Sequence, residues 1–172
     1  MNVNEQYKIH RVSYPYAEKL NPILHKIILD NAHIRDKGAM MTPWHCFDIK
    51  EFAMIAEWVR GVIGGFHWDL YTPLLLDPEN IEMELYNLWG QVYSKNDYQQ
   101  AHCHLPHHWS LVYYVNTPRG SSPLVFEQSK RKIYPKEGEV IIFPGWIRHY
   151  VPPNKCEGRS IIAGNFTYKK KN

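Results

Sequence analysis

Residues 101–116 read AHCHLPHHWSLVYYVN and place four histidines within seven positions, ahead of an apolar run. Neutral imidazole is the commonest metal ligand among side chains. His102 and His104 are two residues apart, so on an extended backbone both rings leave the same face and can reach one ion. Cys103, between them, would face the other way as a buried thiol. A pair of histidines is not a site; the third group must come from elsewhere in the chain. His149 is the candidate, at the end of GEVIIFPGWIRH and just before VPPN turns the backbone. Beyond that turn lies RSIIAGNF. A hairpin centred near Asn154 would set His149 opposite Arg159, with Cβ atoms about 5 Å apart. A metal-bound imidazole beside a guanidinium makes electrostatic sense only if an anion lies between them. An anionic co-substrate that chelates the metal and is anchored by Arg159 meets that condition. His107 and His108 flank this group, but Pro106 interrupts the strand, which places them at the pocket mouth or in solvent.

The chain that must position these groups changes character part of the way along. NPILHKIILDNAHIRDKG opens with Asn21 as an N-cap and Pro22 at the first helical position. Leu24, Ile27, Ile28 and Ala32 recur at helical spacing, and Gly38 is a plausible stop. A second helix is expected from about Asp48, with Glu51 as a capping-box partner. Its stripe is Phe52, Ile55, Ala56, Val59 and Ile63, ending at Gly64-Gly65. From residue 82 the period shortens: EMELYNLWGQVYS, WSLVYYVN, SPLVFEQ, GEVIIFPG and RSIIAGNFTYK are separated by Pro, Gly, Asn and Ser clusters. This order predicts a mainly β fold, a jelly roll or small barrel with helices packed on one sheet. Helical support would span about 16–66 and the jelly-roll core about 82–169 of a single domain, 1–172.

Length and composition agree with one folded domain: 172 residues, 44% apolar and 22% charged. Aromatics, at 14%, are abundant enough to line a pocket as well as a core. The net charge of +3 is mild and sits largely in Lys169-Lys170-Lys171, read as a solvated tail, so no specific nucleic-acid partner is expected. Three widely spaced cysteines without a C-x-x-C point to a reducing compartment. MNVNEQYKIH lacks a charged start followed by an apolar run, and no stretch approaches the roughly 18–20 apolar residues of a membrane span. The expectation is a cytoplasmic protein that does not enter membranes. Nothing in the sequence speaks to oligomeric state.

Taken together, HCH followed by SLVYYVN, then EGEVIIFPGWIRHYVPP, then GRSIIAGNF resembles the 2-oxoglutarate- and iron(II)-dependent oxygenase superfamily. The likeness is to its small prolyl-hydroxylase-like members and a related group of bacterial and phage oxygenases. It covers about residues 85–168 and rests on the order and spacing of the blocks. It implies a double-stranded β-helix, a jelly roll with helices supporting one sheet. It implies that His102 and His149 are iron ligands, that Arg159 pairs with the far carboxylate of 2-oxoglutarate, and that Tyr114 donates its hydroxyl to the same carboxylate. Ser160 and Asn165 follow on the last core strand, where packing accounts for them at least as well as function. His104 departs from the pattern, since most of the superfamily has Asp or Glu there. A triad of two histidines and one carboxylate leaves Fe(II) with one net positive charge and three open positions, whereas a third neutral imidazole leaves two charges on the same facial geometry. Three-histidine iron centres occur in other jelly-roll oxygenases, so His104 stays in the ligand set.

The implied chemistry uses Fe(II), 2-oxoglutarate and O2 to hydroxylate an unactivated C–H, with a peptidyl prolyl-type side chain as the favoured substrate. Phe66-His67-Trp68, Tyr93, Tyr98 and Trp109 would suit a proline ring or a nucleobase equally, and Trp109 and Trp146 would serve as pocket walls or as core. Two other readings stay open. Three histidines and a water can hold zinc, which lowers the water's pKa to about 7 and would make a hydrolase or lyase; Arg159 and Tyr114 then have no role. A cupin-like jelly-roll binding module would use the histidines structurally or not at all.

Overall fold

The computed structural model describes residues 9–36, 38–66 and 80–171. In chain order the elements are β1 (His10–Ser13), α1 (Ala17–Asn31), β2 (Ile34–Asp36), β3 (Ala39–Met41), α2 (Lys50–Phe66), β4 (Ile81–Tyr93) and β5 (Gln99–His102). Then follow β6 (Trp109–Asn116), β7 (Leu124–Phe126), β8 (Lys132–Ile133), β9 (Glu139–Pro144), β10 (His149–Val151) and β11 (Arg159–Lys170). They form a large sheet, ordered β1-β9-β6-β11-β4-β3-β2, and a small one, ordered β5-β10-β7-β8. The fold is mainly β, with two helices, and its named strands pair antiparallel. No helix among the described residues is long and apolar enough to cross a membrane.

Alternation along the strands builds two cores. Trp109, Leu111, Tyr113 and Val115 of β6 face the helices, while Val112 and Tyr114 face the small sheet. Strand β9 divides likewise, with Val140 and Ile142 toward the helices and Ile141 and Phe143 inward. A strand buried on both faces reads as an unbroken apolar run, which is why WSLVYYVN shows no polar phase. The α2 stripe of Phe52, Ile55, Ala56, Val59 and Ile63 is buried against the outer face of the large sheet. Gly90 admits α1 here, since a Cβ on it would lie 2.7 Å from Ile28 Cγ1.

The helix ends differ from those expected. Helix α1 begins at Ala17, with Tyr16 as its cap, and Pro22 lies inside it. Burial of Tyr14 and Leu20 draws an extra turn onto the core. Asn21 caps nothing; buried, it accepts a hydrogen bond from the Tyr113 hydroxyl at 2.7 Å. Gly38 does not stop the helix, which closes at Asn31; with φ +103° it turns the chain between β2 and β3. In α2 the first helical carbonyl to accept is that of Ile49, bonded by the Ala53 N–H at 3.0 Å, and the helix runs through Gly64 and Gly65.

The expected hairpin about Asn154 does not form. Strand β10 pairs with β5 and β7 in the small sheet, and β11 pairs with β4 and β6 in the large one. His149 stands opposite His102 and Phe126, and Arg159 opposite Tyr93. Asn154 is the anchor of a crossover between sheets. Its N–H donates to Asp97 O at 2.7 Å, its carbonyl accepts from the Asn96 N–H at 2.8 Å, and its side chain accepts from the Ser122 N–H at 3.0 Å.

Candidate metal centre and anion pocket

His102 closes β5 and His149 opens β10, and the two are direct partners across those strands. His104 lies just past β5, in a loop held to the β9–β10 turn: its N–H donates to Gly145 O at 2.7 Å, and the Gly145 N–H donates to His108 O at 2.9 Å. A Cβ on Gly145 would overlap the His107 carbonyl, so glycine is what lets the two segments touch. One nitrogen from each of His102, His104 and His149 falls within 4.8 Å of the others. Ring centroids are 4.4 Å apart for His102 and His149, 4.9 Å for His102 and His104, and 5.1 Å for His104 and His149.

Backbone carbonyls set two of the tautomers. His102 Nδ1 lies 2.7 Å from Gln100 O, and His149 Nδ1 lies 2.9 Å from Ile147 O. A carbonyl can only accept, so both Nδ1 atoms carry the proton and both lone pairs are on Nε2, the arrangement usual for metal-ligating histidine. His149 is buried, and burial, reinforced by nearby His102, pushes its pKa down to about 3. It is therefore a neutral donor throughout the physiological range.

The large sheet contributes a buried cation across from the histidines. Arg159 is 0% exposed, and Nε, Nη1 and Nη2 are buried without a hydrogen-bond partner among the described residues. Its guanidinium lies over the Tyr93 ring, 4.4 Å from the centroid, and 5.7 Å from that of Tyr114. The Tyr114 hydroxyl is buried beside Arg159 and makes no hydrogen bond of good geometry among the described residues. Burial raises its pKa to about 12 in spite of the nearby Arg159 charge, so it remains an O–H donor. Arg159, His102 and His104 line one cavity of about 190 Å³ together with Trp89, Tyr93 and Gln99. A buried cation and a buried hydroxyl, both unsatisfied, are costly unless an acceptor of negative charge joins them.

The structure therefore brings the five residues singled out in the sequence to one interior, although from facing sheets. The other expectations divide: Cys103 departs from its expected place, whereas Trp109 and Ser160 take the packing role that was one of their two readings, and His107 and His108 stay out of the ligand cluster. Cys103 is half-buried and lines the same cavity, because the chain leaves the strand at His102 and alternation lapses. Trp109 lies on the helix side, its Nε1–H donating to the Tyr168 hydroxyl at 3.1 Å, and so walls no pocket. Ser160 also faces the helices, with Oγ 2.8 Å from His25 Nδ1. His107 packs on Tyr86 and His108 on Tyr168, and neither joins the cluster. His67 and Trp68, and the side chain of Phe66, lie outside the described residues. Tyr93, expected as a pocket aromatic, does line the cavity, while Trp89, Gln91 and Gln99 are the members that sequence reasoning missed. The signal for Trp89 and Gln91 was the inward phase of β4, legible only once β4 is paired with β11, and that for Gln99 was its place on β5 with His102.

No family model matches the sequence, and no curated protein matches it. Solved structures do. A viral collagen prolyl hydroxylase from Paramecium bursaria Chlorella virus-1, in complex with 2-oxoglutarate, superposes with a TM-score of 0.72 at 15% identity, covering 92% of this chain and 94% of that one. A prolyl hydroxylase from Trichoplax adhaerens, in complex with a hypoxia-inducible-factor peptide, gives 0.63 at 15% identity, over 95% and 85% of the two chains. HygX from Streptomyces hygroscopicus, with nickel, 2-oxoglutarate and hygromycin B bound, gives 0.65 at 11% identity, over 96% and 84%. The fold is the double-stranded β-helix of the 2-oxoglutarate and Fe(II) oxygenases, carrying a three-histidine cluster where many of them have a carboxylate.

Proposed function

We propose that the protein is a 2-oxoglutarate- and Fe(II)-dependent oxygenase that hydroxylates an unactivated C–H bond, with a peptidyl side chain of the prolyl type as its substrate class. The observation that carries this reading is a cavity lined by His102 and His104, two of three convergent imidazoles, and by Arg159, whose buried guanidinium has no hydrogen-bond partner among the described residues. The donor set fits the metal: three neutral nitrogens on one side of an ion leave the other side open. The orphaned donors fit a dicarboxylate: Arg159 would hold its remote carboxylate, a charge-assisted contact able to be bidentate, and Tyr114 would add an O–H bond. Fe(II) with 2-oxoglutarate and O2 supplies the oxidising power to replace C–H by C–OH, with succinate and carbon dioxide as by-products. The chain's own work is to fix His102 and His149 as Nε2 donors, to orient the co-substrate from Arg159, and to keep water away with Trp89 and Tyr93. A reducing, cytoplasmic setting suits ferrous iron and three free cysteines.

A peptide is supported as substrate by an open groove of about 530 Å³ along β5 and β10. It shares Gln99 and Val151 with the metal cavity and is lined by Tyr98, Tyr150, Pro152 and Pro153. The two hydroxylases named above act on prolyl substrates by description or are seen with a peptide, whereas HygX is seen with hygromycin B.

Anaerobic titration of the metal-free protein with Fe(II) and then 2-oxoglutarate, followed in the visible spectrum, tests the reading. A weak charge-transfer band that needs both additions is the expected result. No band, with tight zinc binding through the three histidines, would put a hydrolase or lyase in its place. Failure to bind either metal would leave a binding module.

A further inference from the structure

We propose that Asn165 is a positioning residue for the metal centre: its side-chain amide holds His104 with the proton on Nδ1, so that Nε2 carries the lone pair a metal requires. This rests on the metal reading above. His102 and His149 have their tautomers set by backbone carbonyls, which cannot change role. His104 Nδ1 instead meets a side chain, with Asn165 Nδ2 at 3.3 Å. Asn165 sits on the inward phase of β11 with Ile161 and Ala163, and is 1% exposed. Its amide also meets Asn87 Oδ1 at 2.7 Å and the Ser110 hydroxyl at 2.7 Å; Ser110 too is 1% exposed.

Amide oxygen and nitrogen are nearly isosteric, so this network has two self-consistent arrangements. In one, the Asn165 NH2 donates to Asn87 and to His104 Nδ1, and its oxygen accepts from Ser110. A neutral ring that accepts at Nδ1 carries its proton on Nε2 and has nothing to offer an ion. In the other, both amides are turned over. Asn165 Oδ1 then accepts from His104 Nδ1–H and from Asn87, while its nitrogen donates to the Ser110 hydroxyl, which can take either role. Asn87 is half-buried, so solvent can meet whichever of its atoms faces outward. Only the second arrangement makes His104 a ligand. The feature also explains how a histidine works where many relatives of this fold have a carboxylate: a neutral ring needs its remote nitrogen fixed, and a buried Asn on the inward phase of β11 does that.

The test reads the ring directly. In the metal-free wild-type protein, imidazole ¹⁵N chemical shifts should show His104 as the Nδ1–H tautomer. A ring found as Nε2–H overturns the proposal, and this measurement needs no variant. Asn165→Leu, which keeps shape and removes the amide, should erase the tautomer preference and weaken Co(II) binding by about 10–100-fold, the range for loss of an outer partner of a metal ligand. Asn165→Asp, which can only accept, should restore the Nδ1–H tautomer and most of the affinity; a merely structural role predicts no such rescue. Wild-type Co(II) affinity in Asn165→Leu overturns the assignment of Asn165 alone. Absence of Co(II) binding in the wild type instead removes the metal centre itself, and this proposal with it.

Discussion

A guanidinium shut away from water with no hydrogen-bond partner costs several kcal/mol unless something anionic meets it. Arg159 is in that position. Replacing a whole buried ion pair by apolar side chains of similar volume is often neutral or stabilising by about 1–4 kcal/mol, and a charge without a counter-ion has still less attraction to lose. Arg159→Met is therefore expected to melt no lower than the wild type when 2-oxoglutarate is absent, and to bind 2-oxoglutarate more weakly by about 2–5 kcal/mol. Thermal melting and calorimetric titration check the two halves. A variant that melts lower without ligand would show that Arg159 already has a stabilising partner. At this scale much was legible, because His, Arg and Tyr announce their chemistry by type. What residue type cannot show is context. Trp89 and Gln91 become site residues only through the strand pairing that turns them inward, and Asn165 reads as packing until His104 is placed beside it.

Between elements, the site depends on short seams. Equal spacing of His149 and Arg159 about Asn154 predicts a hairpin, and the fold instead sends the two residues to different sheets by a crossover, leaving Arg159 in one cavity with His102 and His104. Spacing along the chain cannot distinguish the two routes; Asn154, tied to Asp97, Asn96 and Ser122, decides between them. The strand runs themselves were legible to within a few residues because both-sided burial leaves an unbroken apolar signature, as in β6 and β9. Helix ends were not, since Asn21 is a good cap by type but is taken up by Tyr113. The seam between Gly145 and the His104 loop yields a second prediction. Gly145→Ala would push its Cβ into the His107 carbonyl, costing about 1–3 kcal/mol in stability as other overpacked sites do. The affected loop carries His104, the proposed third ligand, so Co(II) affinity should fall at temperatures where the variant is still fully folded. Unchanged affinity in the folded variant would mean that His104 does not depend on this seam.

For the whole molecule, acidity is the first lever. In the unfolded chain His149 titrates near its ordinary value of about 6.5, and in the fold burial holds it at about 3. Between these values the unfolded chain binds a proton that the folded chain refuses, so stability falls as the pH drops through that window. The loss is about 2 kcal/mol by pH 5. Burial also lowers the pKa of His25, His107 and His108, which adds to the effect in the same direction. Urea unfolding of the metal-free protein at pH 7.5 and pH 5 measures it, and equal stabilities would mean that His149 is wetter than the fold implies. The second lever is the division of labour between the sheets. The three histidines belong to β5, its following loop and β10, whereas Arg159 and Tyr114 belong to β11 and β6. A co-substrate gripped at both ends would then span the interior as a strut, fastening the three-residue β10 to the long strands facing it. Amide hydrogen exchange in β5 and β10 should slow when metal and 2-oxoglutarate are both present, and much less with metal alone. The small sheet would breathe when the cavity is empty and stiffen when it is loaded, making its rigidity a gauge of occupancy.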